Sequence, residues 1–88
     1  MQTYTIYVGS NNATKELELD KIRTIAARRH DGLTLYTATG YWLGTPEATA
    51  VLIIHDQENE ITATIADLKK ELNQDAIGYQ IAPLLQFA

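Results

Sequence analysis

The chain has no cysteine. Disulfides, thiolate metal sites and thiol nucleophiles are excluded together, and a reducing compartment, the cytoplasm by default, is the expected setting. Histidine is almost as scarce: His30 and His55 stand far apart, with no acidic or cysteine partner at ligand spacing. Each reads as a surface or helix-end histidine rather than a metal ligand or base. Basic residues are few, seven Lys and Arg against eleven Asp and Glu, for a formal net charge of -4. Lys15, Lys21, Arg23, Arg28 and Arg29 gather on the expected first helix, so nucleic acid fits poorly and a cationic or zwitterionic small ligand fits better. No apolar run approaches the roughly 20 residues of a membrane span. Met1-Gln2-Thr3-Tyr4-Thr5 has neither the basic nor the apolar part of a signal peptide, so a soluble protein is expected. Gly-x-Ser-x-Gly, Walker and Gly-x-Gly-x-x-Gly sequences are absent, and Ser10 has no histidine at motif spacing.

What remains is an ordinary globular composition, 45% hydrophobic and 20% charged over 88 residues, with room for one domain spanning 1–88. A domain this small leaves much of its surface wet, and with no disulfide or metal to staple it, oligomerisation is the expected remedy.

The patterning alternates between the two structural periods. Residues 3–9 place Tyr4, Ile6 and Val8 against Thr3, Thr5 and Tyr7 and stop at Gly9, the period of a half-buried strand. Turn chemistry over 10–14 leads to Thr14 as a cap, then to a helix through Leu17, Leu19, Ile22, Ile25, Ala26 and Arg29 that Gly32 stops. Residues 33–39 form a second strand, and 40–46 a structured connection. The apolar run 48–55 is a third strand buried at the sheet centre. Ile61, Ile65, Leu68 and Leu72 give a second helix starting within 56–59. Ile77, Tyr79 and Ile81 alternate up to Pro83, leaving 83–88 as an apolar tail. This βαββαβ order predicts a ferredoxin-like α+β sandwich, two helices on one face of an antiparallel sheet with the first and third strands central. An alternative is an open sheet completed by a neighbour, with the tail crossing over.

Three segments carry candidate chemistry. Gly40-Tyr41-Trp42-Leu43-Gly44-Thr45-Pro46-Glu47 crowds two aromatics and a carboxylate into one connection, a seat for a cation through quadrupole attraction and charge. The same residues could instead pack over helix ends, with Glu47 finishing an edge strand. Asn73-Gln74-Asp75 offers a second carboxylate in Asp75, or a plain helix cap at Asn73. Gly9-Ser10-Asn11-Asn12 offers backbone donors for a carboxylate or ribose, or a bare turn.

At Gly40-Tyr41, Glu47 and Gln74-Asp75 the chain resembles the bacteriophage-encoded S-adenosylmethionine lyases, which place a tyrosine and a glutamate around the connection between the second and third strands and a Gln-acid pair before the last strand. The element order agrees over nearly the whole chain. The resemblance implies a homotrimer of ferredoxin-like subunits in the host cytoplasm, binding the sulfonium substrate between chains and releasing methylthioadenosine and homoserine lactone without cofactor or metal. Tyr41 would orient the substrate or contact the sulfonium, and Glu47 would hold the methionyl amine or cation. Ser10, Asn11, Trp42, Gln74 and Asp75 would line the substrate site. Asp31-Gly32-Leu33-Thr34, Gly40-Tyr41-Trp42 and Gln74-Asp75 are also similar to PII-like nucleotide-binding trimers. A lyase, a non-catalytic binder of a nucleotide-like ligand and a structural interaction domain therefore all remain open.

Overall fold

The computed structural model describes residues 1–11 and 14–82, so Asn12, Ala13 and the expected tail 83–88 lie outside the described residues. The elements follow in the order β1 (Gln2–Gly9), α1 (Leu19–Ala27), β2 (Thr34–Trp42), β3 (Thr45–Asp56), α2 (Glu58–Glu71) and β4 (Gly78–Ala82). The strands form one antiparallel sheet in the order β2-β3-β1-β4. This is the ferredoxin-like α+β arrangement, and β1 and β3 are central as their apolar alternation requires.

The helices cover one face of that sheet. Tyr4, Ile6 and Val8 of β1 and Ala50, Leu52 and Ile54 of β3 meet Ile22, Ile25 and Ala26 of α1 and Ile61, Leu68 and Leu72 of α2 in one buried cluster. Each fully buried aliphatic contributes roughly 1.5–3 kcal/mol against an exposed one. Arg28 pairs with Glu71 and Arg29 with Asp67, tying the end of α1 to the outer side of α2. The opposite face carries no helix. Its rows follow from the register, Tyr36 beside Val51, Tyr7 and Gly78, and Ala38 beside Thr49 and Gly9.

Three local expectations are corrected. First, α1 begins at Leu19, not at a Thr14 cap. Lys15 adopts a left-handed backbone, φ 64°, inside a turn closed by Lys15 N–H to Asn11 O (2.8 Å) and Asn11 N–H to Glu16 O (2.8 Å). Thr14 Oγ1 accepts from the Glu16 amide within that turn, so it has no helix to cap. Of the basic group assigned to the first helix, Lys21 and Arg23 lie within it, Lys15 precedes it and Arg28 and Arg29 follow it.

Second, 40–46 is not a separate loop. β2 and β3 stay paired through Gly40 with Glu47, Tyr41 with Pro46 and Trp42 with Thr45. Leu43 (φ 52°) and Gly44 (φ 80°) alone make the turn, both with the positive φ of a type I′ hairpin. Because the last β1 partner on β3 is Thr49, opposite Gly9, this hairpin projects beyond the β1 edge.

Third, His30 is not a surface histidine. It is buried, 4% exposed, with Nδ1 2.7 Å from Asp56 Oδ2 and Nε2 2.7 Å from Thr64 Oγ1. Its ring thus bridges the Asp56 carboxylate and the Thr64 hydroxyl through its two nitrogens.

Candidate functional site

The C-terminal end of α2 begins the site. Asn73 has φ 54° and the Gln74 amide donates to Lys69 O at 3.0 Å, the bond of a Schellman ending in which the residue after the cap turns left-handed. The helix cap read for Asn73 is thus present, and its consequence is directional. The turn carries Gln74 towards the end of β1, where Gln74 Nε2 donates to Ser10 O at 2.8 Å.

Ser10 receives a second anchor from the hairpin. Its amide donates to Glu47 Oε1 at 3.1 Å, and its hydroxyl donates to Ala48 O at 3.0 Å. Glu47 can lie this close because its β1 neighbour is Gly9, where a Cβ would stand 2.7 Å from Glu47 Oε1. The absent side chain at Gly9 is therefore what admits the carboxylate. Asn11, by contrast, is engaged in the framework: its Nδ2 donates to Glu18 Oε2 (3.2 Å) and its Oδ1 accepts from Thr14 N–H (3.1 Å).

These contacts frame a cleft of about 500 Å³ lined by Tyr7, Gly9, Glu47, Thr49, Gln74, Asp75, Ala76 and Gly78. It opens where the helix-free face meets the connection into β4. Gly9 and Gly78 leave its floor low, and Glu47 and Asp75 make its wall acidic, with neither Lys nor Arg in the lining. An acidic wall beside the Tyr7 ring suits an organic cation, held by charge and by the ring face. Its size is that of sites for nucleoside-sized ligands.

Three segments far apart in sequence are thus brought together: Ser10, Glu47 and the pair Gln74 and Asp75. Tyr41 is not. It is 73% exposed and alternates with Gly40, the partner of Glu47, so within one chain it stands on the other face of the hairpin. Trp42 is placed by its backbone, opposite Thr45. Tyr7 was missed because its place in an alternating strand reads as plain sheet surface; the available signal was its position two residues before Gly9, on the same face.

The Asp56, His30 and Thr64 chain has the connectivity of an acid, base and hydroxyl nucleophile. Thr64, however, is fully buried, so no substrate reaches its hydroxyl. The amide of Gln57 foremost, then His30, holds the Asp56 carboxyl below the usual carboxylate range, as expected of a staple joining the end of β3 to both helices. Among the described residues no group of histidine, cysteine and carboxylate could hold a metal ion. No helix among them is long and apolar enough to cross a membrane.

No protein-family model matches the chain, and no curated protein matches it. Solved structures do. A DUF3240 family protein from Shewanella baltica is similar with a TM-score of 0.69 at 15% identity, covering 99% of this chain and 93% of that one. CutA1 from Oryza sativa is similar at 0.61 and 16% identity, covering 100% and 84%. A phage SAM lyase in the apo state is similar at 0.56 and 21% identity, covering 97% and 83%. At these identities the likeness is one of fold.

Proposed function

We propose that the protein is an S-adenosylmethionine lyase, releasing methylthioadenosine and homoserine lactone. The observation that carries this reading is the convergence of Glu47, Gln74 and Asp75 on one acidic cleft of about 500 Å³, with Ser10 hydrogen-bonded to both Glu47 and Gln74. The likeness in fold to a phage SAM lyase supports it. The reaction asks little of the protein. The substrate's own carboxylate attacks its Cγ, an O–C bond forms, the C–S bond breaks, and the sulfur leaves with the electron pair as a neutral thioether. No proton is transferred and no cofactor is consumed, so catalysis rests on holding the chain folded near attack geometry.

Charge decides the roles. The sulfonium and the carboxylate neutralise one another in the transition state, whereas the ammonium keeps its charge throughout. A protein carboxylate aimed at the sulfonium would stabilise the ground state more than the transition state. Glu47 and Asp75 therefore serve best on the ammonium, with the Tyr7 ring along the sulfonium. In this reading the protein is a homotrimer packed through the helix-free face, around Tyr36, Val51 and Tyr7. Tyr41 then reaches the cleft of a neighbouring copy from the projecting hairpin.

The test is incubation with S-adenosylmethionine and chromatography for both products against a blank, with Tyr41→Phe and Glu47→Gln as controls. Products above the blank, lost in the variants, support the lyase. Absence of turnover with retained binding favours the second reading, a PII-like nucleotide binder. That reading is favoured by the separation of Tyr41 from Glu47 within one chain. A thermal shift with nucleotides addresses it, because a ligand of the folded state raises the melting temperature.

A further inference from the structure

Glu47 belongs to two cavities. The second, about 640 Å³, lies on the other side of the hairpin base and is lined by Ser10, Lys15, Leu43, Thr45, Pro46, Glu47 and Ala48. Its character differs from that of the acidic cleft. Lys15 is the cation in its lining, Leu43 and Pro46 supply an apolar wall, and Glu47 joins it to the first cavity.

Two features of Lys15 bear on what this cavity takes. Among the described residues its ammonium makes no ion pair, as is equally true of Lys21, Lys69 and Lys70, and what sets Lys15 apart is its place on the cavity wall with Glu47. Its backbone also sits in the left-handed region at φ 64°, a conformation that costs a non-glycine residue on the order of 1 kcal/mol. The turn that imposes it is held by the paired bonds between Asn11 and Lys15 and between Asn11 and Glu16. A lysine so held, unpaired and on a cavity wall opposite the hairpin, supplies the positive counterpart to Glu47.

We infer that Lys15 is a substrate-binding residue that takes the carboxylate of a zwitterionic amino-acid ligand, whose ammonium is held by Glu47. The junction at Glu47 thus selects for a molecule carrying both charges, and the Leu43 and Pro46 wall takes the adjoining aliphatic part. This rests on the S-adenosylmethionine reading and names the selectivity that the reading leaves open. Because the carboxylate loses its charge as it attacks Cγ, the Lys15 contact stabilises the bound substrate more than the transition state, so it serves selection at some cost in the rate of the chemical step.

The experiment is titration calorimetry of the whole protein with S-adenosylmethionine and with its decarboxylated analogue, which keeps the sulfonium and amine but lacks the carboxylate. The wild type is expected to prefer S-adenosylmethionine by about tenfold, the scale of one charge-assisted hydrogen bond. Lys15→Gln removes the preference while leaving affinity for the analogue unchanged, Lys15→Arg restores it, and in turnover Lys15→Gln raises KM and kcat together. Equal binding of the two ligands by the wild type, or an undiminished preference in Lys15→Gln, overturns the assignment of Lys15 and leaves the lyase reading standing. No binding of either ligand by the wild type overturns both.

Discussion

The two ends of β3 hold polar clusters of similar make-up and opposite use. At its C-terminal end Asp56 meets His30 and Thr64; at its N-terminal end Glu47 meets Ser10, beside Gln74. Both contain a carboxylate and a hydroxyl residue drawn from distant segments. The first is sealed beneath two helices, so its hydrogen bonds serve the fold. The second lies on the helix-free face where Gly9 and Gly78 open the surface, so its carboxylate faces an open cleft. The difference is one of cover rather than of residue type.

The sharpest way to break that comparison is at the sealed end. His30→Ala removes a buried ring and leaves the Thr64 hydroxyl without its partner, and it is expected to cost about 2–4 kcal/mol. Urea denaturation measures this; a loss under about 0.5 kcal/mol would show that the cluster can open to water. The same end responds to acid. Asp56 is held below the usual carboxylate range, Asp67 is held low by Arg29 and Glu71 by Arg28. The unfolded chain binds protons near pH 4 where the folded chain does not. Stability is therefore full above that pH and falls as pH descends through the folded values. Melting temperature against pH should decline below about 4, with a shallower decline in Asp56→Asn.

The sheet was legible because β1 and the centre of β3 obey a two-residue period and α2 a helical one. What escaped were places where one hydrogen bond decides the local path. Thr14 reads as a helix cap, yet the left-handed Lys15 commits the chain to a turn. Residues 40–46 read as a loop because of their glycines and proline, but Leu43-Gly44 closes a two-residue turn and the pairing runs on. That continuity fixes side-chain parity, which is why Tyr41 and Glu47, near one another in sequence, part to opposite faces. His30 was misjudged because its partners lie 26 and 34 residues away. Ser10, Glu47, Gln74 and Asp75 come together because Ser10 follows β1, Gln74 and Asp75 follow α2 and Glu47 lies near the start of β3, and in this topology those ends converge.

At the open end the effects should fall on ligand rather than fold. Glu47→Gln is expected to weaken S-adenosylmethionine binding by roughly tenfold or more while stability stays within about 0.5 kcal/mol. Calorimetry alongside thermal melting separates the two; a collapsed melting temperature with binding intact would make Glu47 structural. Gly9→Ala should act more gently by the same route. Its Cβ would meet the end of the Glu47 side chain, which is free to swing, so the carboxylate shifts and affinity drops several-fold with little change in melting. Wild-type affinity in Gly9→Ala would mean that the position of Glu47 against β1 does not matter to the ligand.

The smallest expected effect is a gain. Leu43 occupies the first central position of a type I′ turn at φ 52° and is 89% exposed, so in the single chain it carries backbone strain with almost no packing in return. Asparagine adopts that conformation readily and is favoured before glycine in such turns. Leu43→Asn should therefore raise stability by about 0.5–1 kcal/mol, a few degrees of melting temperature for a domain of this size. A fall instead would mean that Leu43 is covered by something the single chain does not supply. Light scattering on the variant then decides what it is: a smaller assembly would place the hairpin tip against a second copy and make the open end of β3 part of a built interface.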